Sequence, residues 1–347
     1  MYNNYKIVVV TAAGRRHLMQ YMIPYIVSSD LVDKYEIWVN TNNNLDIAFF
    51  QKLSEKYDVI QLVWQPEGIV NGNASINSFY RRCIDENTIY FKLDDDIVWM
   101  EPETIRKMIV FRLEHPDYFL VSPLVINNSL STYSLQIEDK IHFINYFSSS
   151  SNHPVLWKSG EFACELHNWF IDNYLRRGGY EDLHIGKKEM GMTRFSINSV
   201  LWFGKDLKRI EGAVPGDDEE YLSCILPTKL GKSNAWNGDV LISHYSFFTQ
   251  KKVVDKSDIL NLYGEICSEQ FSADKKQCDI HLTVSSIIKE IAKNEDYYKS
   301  LPLKYIQPAA KISLKKRIIA TLPVPLLNVF ISIKGLFRKS GPVKYIV

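Results

Sequence analysis

The 347-residue chain has few cysteines, no excess of either charge and no long uninterrupted apolar run. Its cysteines are scattered and form no Cys-x-x-Cys pair, which argues against a disulfide framework and a structural zinc site. They are Cys83, Cys164, Cys224, Cys267 and Cys278. Lys and Arg total 41 against 40 Asp and Glu, so the composition indicates no nucleic-acid partner. We therefore expect a protein of the reducing cytoplasm.

The sequence also shows no signal for crossing a membrane. No stretch reaches the roughly 18 uncharged apolar residues of a spanning helix. The chain runs from MYNNYK directly into IVVV, so we expect no signal peptide.

The tail, residues 301–347, differs from the rest of the chain because it contains Lys and Arg but no Asp or Glu. Its apolar stretch IIATLPVPLLNVFISI, 318–333, is short and contains Pro323 and Pro325. Basic flanks around such a segment favour binding to an anionic membrane surface, which would place the protein peripherally on the inner face of the plasma membrane. The alternative is a C-terminal helix packed on the catalytic domain.

Apolar strand-like runs alternate with helical patterns in the first hundred residues. The strand candidates are KIVVVTAA (6–13), YEIWVNT (35–41), DVIQLVWQ (58–65) and TIYFKLDDD (88–96). This alternation predicts an α/β fold with a Rossmann-like, mainly parallel sheet flanked by helices, and ligands at the carboxyl ends of the strands. YFLVSPLVI, SVLWFGKDL and DVLISHYSFF read as later strands. Residues 127–195 lack clear periodicity, and we expect acceptor-facing loops there.

Three consecutive acids, Asp94, Asp95 and Asp96, end the fourth strand candidate. Adjacent carboxylates repel one another and need a neutralising partner, for which Mg²⁺ or Mn²⁺ is suited. The alternative is a solvated acidic turn before the next helix. Here the chain resembles the GT-A glycosyltransferases, whose Asp-any-Asp motif matches Asp94 and Asp96 with Asp95 between them. The resemblance implies a divalent cation and contacts to a nucleotide-sugar donor.

PGDDEEYLS, 215–223, resembles the acidic motif that begins a helix in inverting GT-A enzymes. Asp217 and Asp218 match its acidic pair, and Asp218 is the candidate general base for the acceptor hydroxyl. The alternative is a helix N-terminus whose acids complement the helix dipole. His244 ends an apolar strand, and the family resemblance implies a role as a third metal ligand.

The loop after the first strand, TAAGRRHL, is neither a Gly-x-Gly-x-x-Gly fingerprint nor a P-loop. In the GT-A family this loop holds the nucleotide, which makes Thr11, Ala13 and Arg15 donor-binding candidates. Asn73, Asn77 and Arg81 lie in a segment that resembles the donor lining, with a plain turn and helix as the alternative. Trp202 and Phe203 could stack on sugars or pack in the core.

Residues 1–255 are interpreted as a GT-A catalytic domain, with a nucleotide-sugar half at about 1–100 and an acceptor half at about 101–255. A helical extension, 256–300, and the tail follow. The predicted function is transfer of a sugar from a nucleotide-diphosphate donor, UDP-linked by preference, to a saccharide acceptor, which could be lipid-linked. The alternatives are a sugar-phosphate nucleotidyltransferase and a non-catalytic glycan-binding or scaffold subunit.

Overall fold

The computed structural model describes residues 1–308 and 344–347. Within these ranges nine strands form one sheet of order β3-β2-β1-β4-β8-β6-β9-β5, with β7 paired beside β9. The strands are β1 (Lys6–Ala13), β2 (Lys34–Val39), β3 (Ile60–Trp64), β4 (Thr88–Leu93), β5 (Ile97–Met100), β6 (Val121–Ile126), β7 (Lys187–Gly191), β8 (Ser199–Phe203) and β9 (Asn234–His244).

The sheet is parallel in its first half and mixed in its second. β3, β2, β1 and β4 run parallel, as β6 and β9 do. β8 is antiparallel to β4 and β6, and β5 and β7 are antiparallel to β9. The predicted α/β class, with a Rossmann-like mixed sheet flanked by helices, is confirmed. Because β1 and β4 are parallel neighbours, their carboxyl ends lie side by side.

Helices cover the sheet and continue to residue 300. The α-helices are α1 (Arg16–Met19), α2 (Ile23–Ser28), α3 (Asn44–Lys56), α4 (Thr104–Glu114), α5 (Ser129–Ile137), α6 (Gly160–Phe170), α7 (Gly204–Lys208), α8 (Asp218–Glu220), α9 (Leu226–Leu230), α10 (Lys251–Val254), α11 (Ile259–Ser272), α12 (Lys275–Lys293) and α13 (Glu295–Ser300). Ile76–Arg82 and Tyr180–Leu183 are 3₁₀ helices, and Ile171–Leu175 and Tyr221–Ile225 are π-helical turns.

The core lies on both faces of the central strands. β4 and β8 are buried along their whole length, and so is β9 apart from Asp239. Continuous apolar burial of this kind is expected for strands covered on both sides. Trp202 and Phe203, offered as sugar-stacking residues, are each only 1% exposed, and the Trp202 ring stacks on Tyr90. The structure therefore shows core packing for both.

Residues 127–195 contain regular structure where loops were expected, and this expectation was wrong. The Asn128 side chain accepts hydrogen bonds from the first backbone N–H groups of α5, and Ser159 caps α6 in the same way. The buried face of α6 includes Phe162, Leu166 and Phe170, at helical spacing. Helices therefore occupy much of the region.

The tail is described only at its two ends. Residues 301–308 lie along the segment that follows β2: Asn42 Nδ2 donates to the Tyr305 carbonyl, and the Tyr305 N–H donates back to Asn42 Oδ1. At the other end, the Tyr345 and Ile346 N–H groups donate to Glu165. The apolar segment 318–333 lies outside the described residues. Within the described ranges, no helix has both the length and the apolar character needed to span a bilayer.

Candidate active site

Arg15 contacts Asp95 and Asp96 at the carboxyl ends of β1 and β4. The Gly14 N–H donates to Asp95 Oδ2 at 2.9 Å, and Arg15 Nε donates to Asp95 Oδ1 at 2.8 Å. Arg15 Nη1 donates to Asp96 Oδ2 at 2.8 Å. Two residues predicted from separate motifs are therefore in direct contact. In this state the guanidinium is paired with carboxylates, and its phosphate contact stays a prediction.

Asp96 and His244, two of the three predicted metal ligands, also lie together. His244 Nε2 is 3.1 Å from Asp96 Oδ2, and its Nδ1 donates to the Asn127 carbonyl at 3.2 Å. Because a carbonyl can only accept, Nδ1 carries a proton and Nε2 faces the carboxylate. Burial alone would lower the pKa of His244, but the charge and hydrogen bond of Asp96, the charge of Asp94 and the hydrogen bond to Asn127 together outweigh burial and raise the pKa.

Asp94, the third predicted ligand, is paired with a buried lysine that was not among the residues predicted from the sequence. Lys92 is 3% exposed, forms an ion pair with Asp94 and donates to the Ile197 carbonyl at 2.8 Å. Residues 92 and 94 are two apart, so they share one side of the extended chain. The signal that could have identified Lys92 was a cation inside the apolar run TIYFKL, directly before the acids.

The aspartates differ in their electrostatic environments. Burial raises the pKa of Asp94, partly offset by Lys92. For Asp96, burial acts in the same direction, but the charges of Arg15 and His244 hold its pKa below the ordinary value. We conclude that Asp96 stays ionised and is the stronger candidate for binding a cation.

The residues fit a divalent cation with two protein ligands. Asp96 Oδ1 is buried and has no hydrogen-bond partner among the described residues. His244 Nε2 lies beside the same carboxylate and could ligate a cation once it has lost its proton. Over residues 1–308 and 344–347, however, no three His, Cys, Asp or Glu side chains converge as a ligand set. Mg²⁺ commonly binds through one or two carboxylates plus substrate phosphates, so a preformed cage is not required. Asp94 as a third ligand stays a prediction.

The two acids of PGDDEE have separate environments. Asp217 is the N-cap of α8: its Oδ1 accepts from the Glu220 N–H at 3.1 Å, and its Oδ2 accepts from Arg194 at 2.9 Å. Asp218 Oδ2 accepts from the Tyr80 hydroxyl at 3.0 Å. The helix N-terminus interpretation therefore describes Asp217, whereas Asp218 points to the 3₁₀ helix that carries Tyr80. Tyr80 and Arg194 were not predicted from the sequence.

The charges of both acidic motifs act on Lys92. Burial alone would lower the pKa of Lys92. The charges of Asp94 and Asp218, the hydrogen bond to Asp94 and the charge of Asp96 together outweigh burial and raise the pKa. The structure thus brings together residues from β4 and from α8.

A pair of asparagines after β6 orients both sides of this site. Asn127 has a left-handed backbone, φ +65°, and its carbonyl accepts from His244. Asn128 Nδ2 donates to Asn198 Oδ1 at 2.9 Å, and the Asp94 N–H donates to the Asn198 carbonyl at 2.8 Å. Asn is among the few residues that tolerate a left-handed backbone. This corner therefore holds His244 directly and Asp94 through Asn198.

The remaining donor candidates have mixed positions. Thr11 is buried and its hydroxyl accepts from Tyr35 at 3.2 Å, and Ala13 is buried too. Asn77 Nδ2 donates to the Gly216 carbonyl at 2.8 Å, just before the acidic pair, while its Oδ1 is buried without a partner.

Asn73 and Arg81 are exposed. Arg81 lines a cleft of about 490 Å³ against β3, and none of the three aspartates lines this cleft. The donor contacts of these two residues, and those of Thr11, Ala13 and Asn77, stay predictions.

No known family model and no curated protein sequence matches the chain. Similar solved structures include 4-diphosphocytidyl-2C-methyl-D-erythritol synthase from Anaerococcus prevotii, 11% identical, with a TM-score of 0.39 over 76% of this chain and 98% of that chain. CMP:2-keto-3-deoxy-manno-octonic acid synthetase with CTP is 10% identical, with a TM-score of 0.41 over 75% and 99%. GalNAc-T7 with UDP, GalNAc and Mn²⁺ is 10% identical, with a TM-score of 0.43 over 87% and 59%. These likenesses are too distant to bear on the reaction.

Proposed function

We propose that this chain is a glycosyltransferase that moves a sugar from a nucleoside-diphosphate donor, a UDP-sugar by preference, to a saccharide hydroxyl. The observation that carries the proposal is that the Asp96–His244 pair and the Lys92–Asp94 ion pair lie at the end of β4, while Asp218 is held by Tyr80, whose ring centroid is 6.1 Å from that of Trp202 on the neighbouring strand β8. The Asp96–His244 pair offers ligands for a cation that binds phosphate, and Asp218 offers a carboxylate held by Tyr80. Group transfer from a diphosphate needs both functions.

Asp218 is proposed as the general base of an inverting reaction. The acceptor oxygen forms a bond to the anomeric carbon, while the bond from that carbon to the diphosphate oxygen breaks. The bonding electron pair leaves with the nucleoside diphosphate, and the acceptor proton passes to Asp218. Because positive charge develops on the sugar in such a transition state, the carboxylate also stabilises it electrostatically.

Asp96 and His244 would hold Mg²⁺ or Mn²⁺, with Asp94 as a further candidate. When bound, the cation would supply charge neutralisation for the leaving diphosphate. Arg15 is already placed beside Asp95 and Asp96, where it can exchange a carboxylate for a phosphate oxygen. Its bidentate geometry suits both partners.

A ligand panel tests donor and metal together. The purified protein is heated with UDP-, GDP-, ADP- and CMP-sugars, each with Mn²⁺, with Mg²⁺ and with EDTA. A donor at 100 times its Kd should stabilise the folded state by about 2.7 kcal/mol. We expect one nucleotide sugar to raise Tm only with metal. Asp96→Asn should abolish this shift.

Asp139→Asn is the matched control. Asp139 is 89% exposed and has a left-handed backbone that Asn also adopts, so the variant should respond to the donor as wild type does. A donor shift that is equal in Asp96→Asn and wild type would refute the metal and donor roles of Asp96.

The two alternatives give different results. A nucleotidyltransferase would release pyrophosphate from a nucleoside triphosphate and a sugar phosphate, whereas the proposed enzyme releases a nucleoside diphosphate from the donor. A scaffold subunit would keep its function in Asp218→Asn. In the proposed enzyme, that substitution removes turnover and leaves the donor-induced shift in Tm intact.

A further inference from the structure

An aromatic cluster adjoins His244 and takes no part in the steps above. It consists of Trp157, Phe247 and Phe248. The Phe247 ring centroid is 4.5 Å from that of His244, and Trp157 lies 6.2 Å from Phe247 and 5.2 Å from Phe248. A continuous series of rings thus leads from the candidate metal ligand to the protein surface.

The outer end of this cluster is open to solvent. Phe248 is 76% exposed, and Trp157 and Phe247 are partly exposed. Because the exposed ring adjoins two partly exposed ones, the cluster forms a contiguous apolar patch next to the candidate site, and such patches serve as binding surfaces. Lys158 extends over the Trp157 ring at 6.0 Å and adds a hydrogen-bond donor at its edge.

The two segments that carry the rings are fixed to each other. Thr249 Oγ1 donates to the Trp157 carbonyl at 2.6 Å, and Gln250 Nε2 donates to the Leu156 carbonyl at 3.3 Å. A Cβ on Gly160 would lie only 2.4 Å from Val253 Cβ, so α6 and α10 approach closely. The backbone under the rings is therefore preorganised, which lowers the entropic cost of binding a ligand.

We propose that Trp157, Phe247 and Phe248 form the subsite that binds the acceptor saccharide, an inference that rests on the proposed transferase function. A pyranose ring has a face of C–H groups that carries slight positive charge, and the face of an aromatic ring is negative and apolar. A sugar stacked there lies next to the donor site because Phe247 contacts His244. The surface of a lipid membrane is the other possible occupant. Of the three rings only Phe248 is strongly exposed, and its backbone is held in place, so the cluster offers little apolar area that could insert into a membrane. The saccharide is therefore favoured.

The test uses an array of defined oligosaccharides as the probe, with the full-length protein and no donor. We expect wild type to bind at least one glycan, and Phe248→Ala to bind it about tenfold more weakly. Phe248→Trp should restore binding. Tyr297→Ala is the control: Tyr297 is an aromatic residue on α13 that is 62% exposed, and the variant should bind as wild type does.

Three outcomes would overturn the proposal: no glycan bound by wild type, full binding by Phe248→Ala, or a Phe248-dependent attachment to phosphatidylglycerol vesicles in place of glycans. The donor-induced shift in Tm, measured on the same proteins with Mn²⁺, separates this proposal from the broader one. If wild type shows the donor shift but no glycan binding depends on Phe248, only the subsite is wrong. If the donor shift is absent in wild type, the transferase function fails.

Discussion

At the scale of single residues, the candidate base Asp218 accepts two hydrogen bonds, one from the hydroxyl of the fully buried Tyr80 and one from the Glu219 N–H. Asp218→Asn should lower kcat by about 10²- to 10⁴-fold, because the amide cannot take the acceptor proton. Tyr80→Phe should lower kcat up to about tenfold, with the donor Kd unchanged, because it removes one of the two hydrogen bonds that orient Asp218 and leaves the carboxylate in place. Steady-state kinetics with the donor identified by the ligand panel would measure both effects. Tyr146→Phe, at an exposed hydroxyl pair with Tyr133, should have no effect. Equal kcat in Tyr80→Phe and wild type would exclude an orienting role for Tyr80.

His167 predicts how stability changes with pH. It is fully buried beside the Tyr263 hydroxyl and donates to the Tyr245 carbonyl at 2.9 Å. Burial lowers the His167 pKa from 6.5 to about 4, and the nearby charge of His244 acts in the same direction. Because the folded-state pKa is the lower one, the unfolded chain binds the proton first as the pH falls. The contribution of neutral His167 to the free energy of unfolding is fully present above pH 6.5 and is lost as the pH falls to about 4. The total loss is about 3 kcal/mol.

Urea unfolding of wild type and His167→Gln across this pH range is the measurement. Gln keeps a donor and an acceptor but does not titrate, so its free energy of unfolding should fall less steeply with decreasing pH. Parallel pH profiles for the two proteins would contradict the assignment.

At the scale of elements, a loop glycine allows the segment before the candidate base Asp218 to approach the 3₁₀ helix that carries Tyr80. Gly212 has φ +67°, and a Cβ there would lie 2.5 Å from Arg81 Cα and 2.6 Å from the Tyr80 carbonyl. The loop before Asp217 therefore lies directly on the 3₁₀ helix that carries Tyr80. An alanine in a left-handed backbone lowers the free energy of unfolding by about 1–2 kcal/mol. Gly212→Ala should lower it by more, because its Cβ also meets Tyr80 and Arg81, and it should lower kcat as well.

Gly231→Ala is the control for this prediction. Gly231 has φ +63°, and no atom lies within 4 Å of the position that a Cβ would occupy there, so only the backbone cost applies. Chemical denaturation and kinetics of the two variants separate backbone strain from steric contact. Equal losses of stability and unchanged kcat in both would show that the close approach at Gly212 does not position Asp218.

The sequence predicted the elements that repeat a simple pattern. β1 to β4 are short apolar runs between helices, and the acids of LDDD follow a strand as predicted. β5 was missed because Ile97–Met100 is too short to show a period and follows the acids directly. α6 was missed although Ser159 provides an N-cap, because aromatic side chains hid its spacing. The Tyr80–Asp218 contact could not be predicted, since it depends on how two segments distant in sequence pack. Lys92 and Asp94 are only two residues apart, and the cation inside TIYFKL was a signal for their pairing.

At the scale of the whole molecule, charge is unevenly distributed. Residues 309–343 contain seven Lys and Arg and no acid, so a chain of net charge +1 has a net charge of −6 over the remaining residues. We predict that the full chain sediments with vesicles that contain phosphatidylglycerol, and less so as salt is raised. A variant with these seven residues changed to Gln should remain in the supernatant, and vesicles of phosphatidylcholine alone should bind neither protein. Equal sedimentation of both proteins with the anionic vesicles would reject membrane binding through the tail.

The position of β9 in the sheet determines when a growing chain can complete its fold. β5 and β6 leave the ribosome long before β9, whose residues 234–244 pair with both of them. Until then β5 has no neighbour in the described sheet, and β6 has only the single register contact between Val121 and Leu201. Unpaired strand edges of this kind promote association between nascent chains. Synthesis of β9, the strand that carries His244, therefore also closes the period in which unpaired edges of β5 and β6 could associate with other nascent chains.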